Sequence, residues 1–119
     1  MKPEMSRIIK NNDTPSTNWP FEAIDVFGKR IRTTKSYWEK IKQEKHKELR
    51  FDITEIIKTI TRPEEVYKSI RDEFINIHYK KYKHETLVVV TKHLNGDGFL
   101  ITAYQTSKIK RKGEKLWPK

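Results

Sequence analysis

Near Arg71 the spacing of apolar side chains changes, and no single type of element satisfies both halves of the chain. Upstream, Trp38, Ile41, Lys45 and Leu49, then Ile53, Ile56, Ile57 and Ile60, recur at intervals that place them along one face of a helix. Downstream, Ile75, Ile77 and Tyr79 alternate with Asn76, His78 and Lys80 at the interval of two that a strand requires. Leu87 to Thr91 is β-branched and nearly continuous, the pattern of a central strand covered on both faces. Asn95-Gly96-Asp97-Gly98 is a turn signal, and Phe99 to Thr106 reads as the strand that follows it. Helices first and hairpin-linked strands afterwards predict an α+β domain, with the helices packed on a curved antiparallel sheet of about four strands.

Local signals set the expected boundaries. Thr33 or Thr34 caps a helix predicted to run to about Leu49. Asp52 followed by Glu55 gives a capping-box start to a second helix, which must end before Pro63 because the residue preceding proline is pushed out of helical geometry. The segment from Pro63 to Ser69 is expected to add one further helical turn. Ahead of the helices, Ile24, Val26 and Ile31 flank Phe27-Gly28-Lys29, which predicts a small β-ribbon closed by a glycine turn. Residues 1–19 are rich in Asn, Asp, Ser, Thr and Pro without a period and read as a flexible arm, which leaves 20–119 as a single domain.

Charge narrows the class of partner. Against 16 Asp and Glu the chain carries 26 Lys and Arg, a formal net charge of +10 whose field recruits polyanions, so nucleic acid is the first partner to expect. No apolar run approaches the roughly 18 residues of a membrane span, and the N-terminal stretch lacks the apolar run of a signal peptide, so a cytoplasmic protein with no membrane partner is expected. The absence of cysteine excludes disulfides and thiolate metal sites. Neither the histidines nor the carboxylates show metal-ligand spacing, so no metal and no cofactor are expected.

The stretch FLITAYQTSKIKR, Phe99 to Arg111, places Thr102, Tyr104 and Thr106 on one strand face and leads directly into Lys108, Lys110 and Arg111. Phe99, Ile101 and Ala103 would take the other face and pack on the helices. Three hydroxyls beside clustered cations suit a phosphate, although threonine and tyrosine also occur in strands for reasons of β propensity alone. His46 sits at the border of its helix's apolar stripe, where an imidazole with a pKa of about 6.5 could exchange a proton near neutrality. Arg71 has the planar fork that matches phosphate oxygens. His78, His84 and His93 fall on polar or loop positions and read as solvated side chains. From Lys108 to Lys119 six cations face Glu114 alone, with Trp117 expected to fold back on the sheet.

The order of residues from Asp25-Val26-Phe27-Gly28 through Trp38-x-x-Ile41-x-x-x-x-His46-x-x-Leu49, Thr59-Ile60-x-x-Pro63-Glu64-Glu65-Val66, Tyr79-Lys80 and Ile101-Thr102-Ala103-Tyr104-x-Thr106 resembles the phage and toxin nuclease domains of the barnase, EndoU, colicin and RelE-like (BECR) superfold. The resemblance spans residues 24 to 117. It implies a metal-independent ribonuclease in which a ribose 2′-hydroxyl attacks the adjacent phosphate. His46 would be general base or acid, Arg71, Thr102, Tyr104 and Lys108 would stabilise developing charge, and Thr106, Lys110 and Arg111 would hold the substrate. It also implies a toxin or phage-derived context, with an acidic antitoxin or immunity protein as partner. The other reading is a non-catalytic basic module that binds nucleic acid or docks an acidic protein.

Overall fold

The computed structural model describes residues 21–45 and 49–119; the arm 1–19 and His46 lie outside the described residues. Strands β1 (Phe21–Ile24) and β2 (Arg30–Thr33) form the expected ribbon. Asp25 builds its turn, because Oδ1 accepts hydrogen bonds from the Phe27 and Lys29 amides at 2.9 and 2.8 Å, and Gly28 supplies the positive φ of +82°. Thr34 then caps α1 (Lys35–Lys40) by accepting from the Tyr37 amide. The helix widens into a π-helical turn over Ile41–Lys45, and Leu49 is no longer helical, so the element is shorter than its apolar stripe implies. Helix α2 (Ile53–Thr61) has the capping box of Asp52 and Glu55 and stops ahead of Pro63 as expected.

After α2 the chain departs from expectation. Instead of a further helical turn, Glu65–Lys68 forms strand β3, whose backbone pairs with β4 (Ile75–Tyr82). Strands β5 (Glu85–Leu94) and β6 (Asp97–Thr106) follow, joined by Asn95 and Gly96 at φ +52° and +84°, and β7 (Lys115–Trp117) pairs back onto β3. One mixed sheet of seven strands results, in the order β1-β2-β6-β5-β4-β3-β7, larger than the four strands predicted. Its single parallel contact joins β2 to β6, through Ile31 opposite Gly98 and Arg32 opposite Phe99. The α+β class therefore stands. The ribbon joins the sheet, and the two strands that no signal announced, β3 and β7, are short segments held by backbone pairing, which apolar periodicity does not report.

One face of the sheet receives the helices. Trp38, Ile41, Ile56 and Ile60 pack on Leu87, Val89, Leu100 and Ala103, with Ala23 and Ile31 of the ribbon closing the layer. Leu100 and Ala103 reach the same face because the β5–β6 register shifts between Val90 and Thr91, leaving Ile101 as an extra residue on β6. Phe99 consequently lies on the opposite face under Arg32, not with Ala103 as simple alternation predicts.

A Cβ on Gly98 would lie 2.8 Å from the Arg30 carbonyl oxygen and collide with the Ile31 side chain. Glycine thus sets how closely β2 can approach β6. Gly98→Ala should lower stability by about 1–3 kcal/mol, as overpacked sites do, read as a lower urea midpoint at unchanged slope.

Candidate nucleic-acid interface

The hydroxyl strand lies on the face away from the helices, since Tyr104 pairs with Val88 and Thr102 with Val90, one step out of phase with core residues Ala103 and Val89. Between β6 and β7 the chain crosses this face like a strap. Its course is fixed by the Tyr79 hydroxyl donating to the Lys110 carbonyl at 3.4 Å and by the Arg111 guanidinium gripping Glu65 at 2.7 and 3.2 Å. Tyr104, Thr106, Lys108 and Lys110 meet there, with Tyr79, around a cavity of 140 Å³.

The strap also uses the groups expected to handle phosphate. Thr106 Oγ1 accepts from the Lys108 amide and donates to its carbonyl, so that hydroxyl turns the chain. Thr102 Oγ1 is buried and makes no hydrogen bond. Burial pushes the Tyr79 hydroxyl up to about 12 and raises that of Tyr104, so both stay protonated and neutral. Arg111 is occupied by Glu65, whose carboxyl the guanidinium holds below its ordinary range. Arg71 stands apart on the exposed β3–β4 loop, its amide donating to Ser69 Oγ. Ile41 and Leu49 pack on the helix face, opposite the face that carries Tyr104, and His46 lies outside the described residues.

A second constellation forms at the end of the sheet where the β1–β2, β3–β4 and β5–β6 turns gather. His78, read from sequence as solvated, is completely buried, because the Asn76-His78-Lys80 side of β4 faces the helices and not water. His78 Nε2 lies 3.0 Å from Thr91 Oγ1, which in turn lies 3.2 Å from His93 Nε2. Asn76 Nδ2 is 3.4 Å from the same His93 nitrogen, and Asp25 Oδ2 is 3.9 Å from it. The His93 side chain is 19% exposed and borders a cavity of 330 Å³ lined by Phe27, Lys29, Lys68, Asn76 and Lys119. Burial lowers the His93 pKa, Asp25 raises it and Lys29 lowers it.

His84, by contrast, is exposed on the β4–β5 turn at the far end of the sheet, beside a cleft of 610 Å³. The arginine of that cleft, Arg50, is ion-paired with Glu85. The His93 cavity therefore holds the better-organised chemistry. Sequence pattern missed it because its groups come from β3, β4, β5, the ribbon turn and Lys119. The one local signal is Asp25, an acidic residue three positions before a turn glycine.

Compared with protein families, curated proteins and solved structures, the chain matches none.

Burial pushes His78 down to about 3 from its ordinary 6.5, with charge on His93 adding to the effect. The unfolded chain therefore takes up a proton near pH 6.5 that the folded chain refuses, so stability is intact above that value and declines as pH falls toward 3. The loss should reach about 2 kcal/mol at pH 5. Urea unfolding at pH 7 and pH 5 measures it, and His78→Gln should flatten the difference whatever its own stability.

Proposed function

We propose that this chain is an RNA-binding domain that cleaves its ligand without a metal ion, the reaction class implied by its resemblance to BECR nucleases, with the chemistry at His93. The observation that carries this reading is a partly exposed imidazole, held from behind by Thr91, Asn76 and Asp25, at the edge of a cavity ringed by Lys29, Lys68 and Lys119. Lys29 and Lys119, with Lys68 beside its ion-pair partner Glu114 at 3.8 Å, can neutralise a phosphodiester and the charge that grows on it during in-line attack. His93 is the proton-transfer group for the attacking 2′-hydroxyl, which DNA lacks, so RNA is the substrate.

Phe27 at the cavity margin, 38% exposed, offers a ring for a base to stack on. Lys108 and Lys110 on the strap, with Arg71 on its loop, extend the cationic surface beyond the reacting phosphate. His46 and the Tyr104 row are secondary in this reading. A basic domain of this kind, in a toxin or phage setting, would be restrained by an acidic antitoxin or immunity protein.

A non-catalytic binding module is the second reading. It is favoured by the engagement of His93 Nε2 with Thr91 and Asn76, which occupies that nitrogen.

Incubating the protein with mixed RNA in EDTA should yield fragments with 2′,3′-cyclic phosphate ends. His93→Ala should reduce the rate by about 10² or more, the usual contribution of a positioned acid or base, while His84→Ala leaves it unchanged. RNA retained by the wild type but left intact would establish the binding module. Equal losses for both histidine variants would remove His93 from the mechanism.

A further inference from the structure

The orientation of the Asn76 amide decides how the protons around His93 are arranged. With the Asn76 amide as placed, its Nδ2 can only donate, so His93 Nε2 accepts and the proton of the neutral ring sits on Nδ1. Thr91 has one hydroxyl hydrogen and also donates to His93, which requires it to accept from His78 Nε2–H. His78 Nδ1 is then a bare lone pair, consistent with its being buried without a partner, and less costly than an orphaned N–H.

This arrangement leaves Asp25 Oδ2 buried with no donor, 3.9 Å from a nitrogen that carries no proton. The Asp25 side chain is fully buried and its other oxygen already holds the Phe27 and Lys29 amides. A buried carboxylate oxygen in that position has one obvious complement, an Nε2–H on a charged imidazolium.

We infer that the cavity takes a doubly charged oxyanion, such as a phosphate or sulfate group, together with one proton from solvent that settles on His93 Nε2 and is held there by Asp25. This rests on the reading of the cavity as a phosphate site, though not on RNA cleavage. The charged groups around His93 fall on both sides. Asp25 and the anion favour its charge, Lys29 of the ribbon turn, Lys68 of β3 and Lys119 disfavour it while the cavity is empty, Glu114 offsets part of the Lys68 charge from 3.8 Å, and Asn76, Thr91 and neutral His78 supply dipoles only. An anion screens the three lysines and removes their opposition. Charging His93 requires Thr91 and Asn76 to give up their donation to Nε2, and Asp25 to receive its proton. Occupancy is thereby tied to the ribbon turn that Asp25 builds.

Sulfate is the suitable probe because it does not itself titrate near neutrality. Calorimetric titration of the full chain with sulfate at pH 6, in two buffers of different ionisation heat, should show net proton uptake on binding. Affinity should tighten about tenfold between pH 8 and pH 5, because bound sulfate raises the proton affinity of His93. Asp25→Asn keeps the Oδ1 acceptor of the turn and removes the counter-charge, so sulfate should still bind with proton uptake reduced. His93→Gln should abolish the uptake, and Lys68→Gln should weaken binding while leaving uptake in place. Absence of sulfate binding, binding without proton uptake, or uptake that survives both His93→Gln and Asp25→Asn would overturn the inference. Each of these is read without RNA, so failure of the cleavage reaction leaves the result interpretable.

Discussion

Strand β5 is covered on both faces, and the rest of the molecule is arranged to cover it. Leu87 and Val89 point to the helices and Val88 points the other way, all three fully buried. Each such side chain is worth roughly 1.5–3 kcal/mol when removed from water, so an uncovered face would forfeit a large share of the stability of a small domain. The helices cover one side. The other is covered by the strap after Thr106, which must cross β5 and β4 to reach the free edge of β3. That crossing explains why Thr106, Tyr79 and Arg111 make structural bonds there instead of standing open to a ligand.

Burial on both faces also explains the polar network. The helix side of β4 and β5 is longer than the two short helices can cover with apolar contacts, and at its far end it carries Asn76, His78, Thr91 and His93. Polar groups buried there must satisfy one another. Strand geometry makes this feasible, because Asn76 and Thr91 are directly opposed and His78 lies two residues along on the same face. A network that first meets a packing requirement thus brings a titratable ring to the edge of a lysine-lined cavity.

What the sequence made legible follows the same division. Both helices, the ribbon and the β4–β5–β6 meander rest on local signals: the Thr34 and Asp52 caps, the stop before Pro63, and the Asn95-Gly96 turn. The β3 and β7 strands carry no such signal, since four-residue and three-residue segments acquire their conformation only from a partner already in place. The site fared worse for a related reason. Alternation assigned Asn76 and His78 to water because their neighbours Ile75 and Ile77 are the apolar set, and only the surrounding fold decides which face of a strand is inside. One extra residue, Ile101, was enough to move Leu100 inward and Phe99 outward.

The sheet ends in two short strands, four residues of β1 on one side and three of β7 on the other. Such edges offer little unpaired backbone to another chain, and Lys115 adds charge at the β7 edge. Without β7, the exposed margin would be β3, where Val66 and Tyr67 would present their backbone and an apolar surface together. The basic tail thus does a second thing that concerns no ligand: its short, charged β7 covers a β3 edge that would otherwise stand open to pairing.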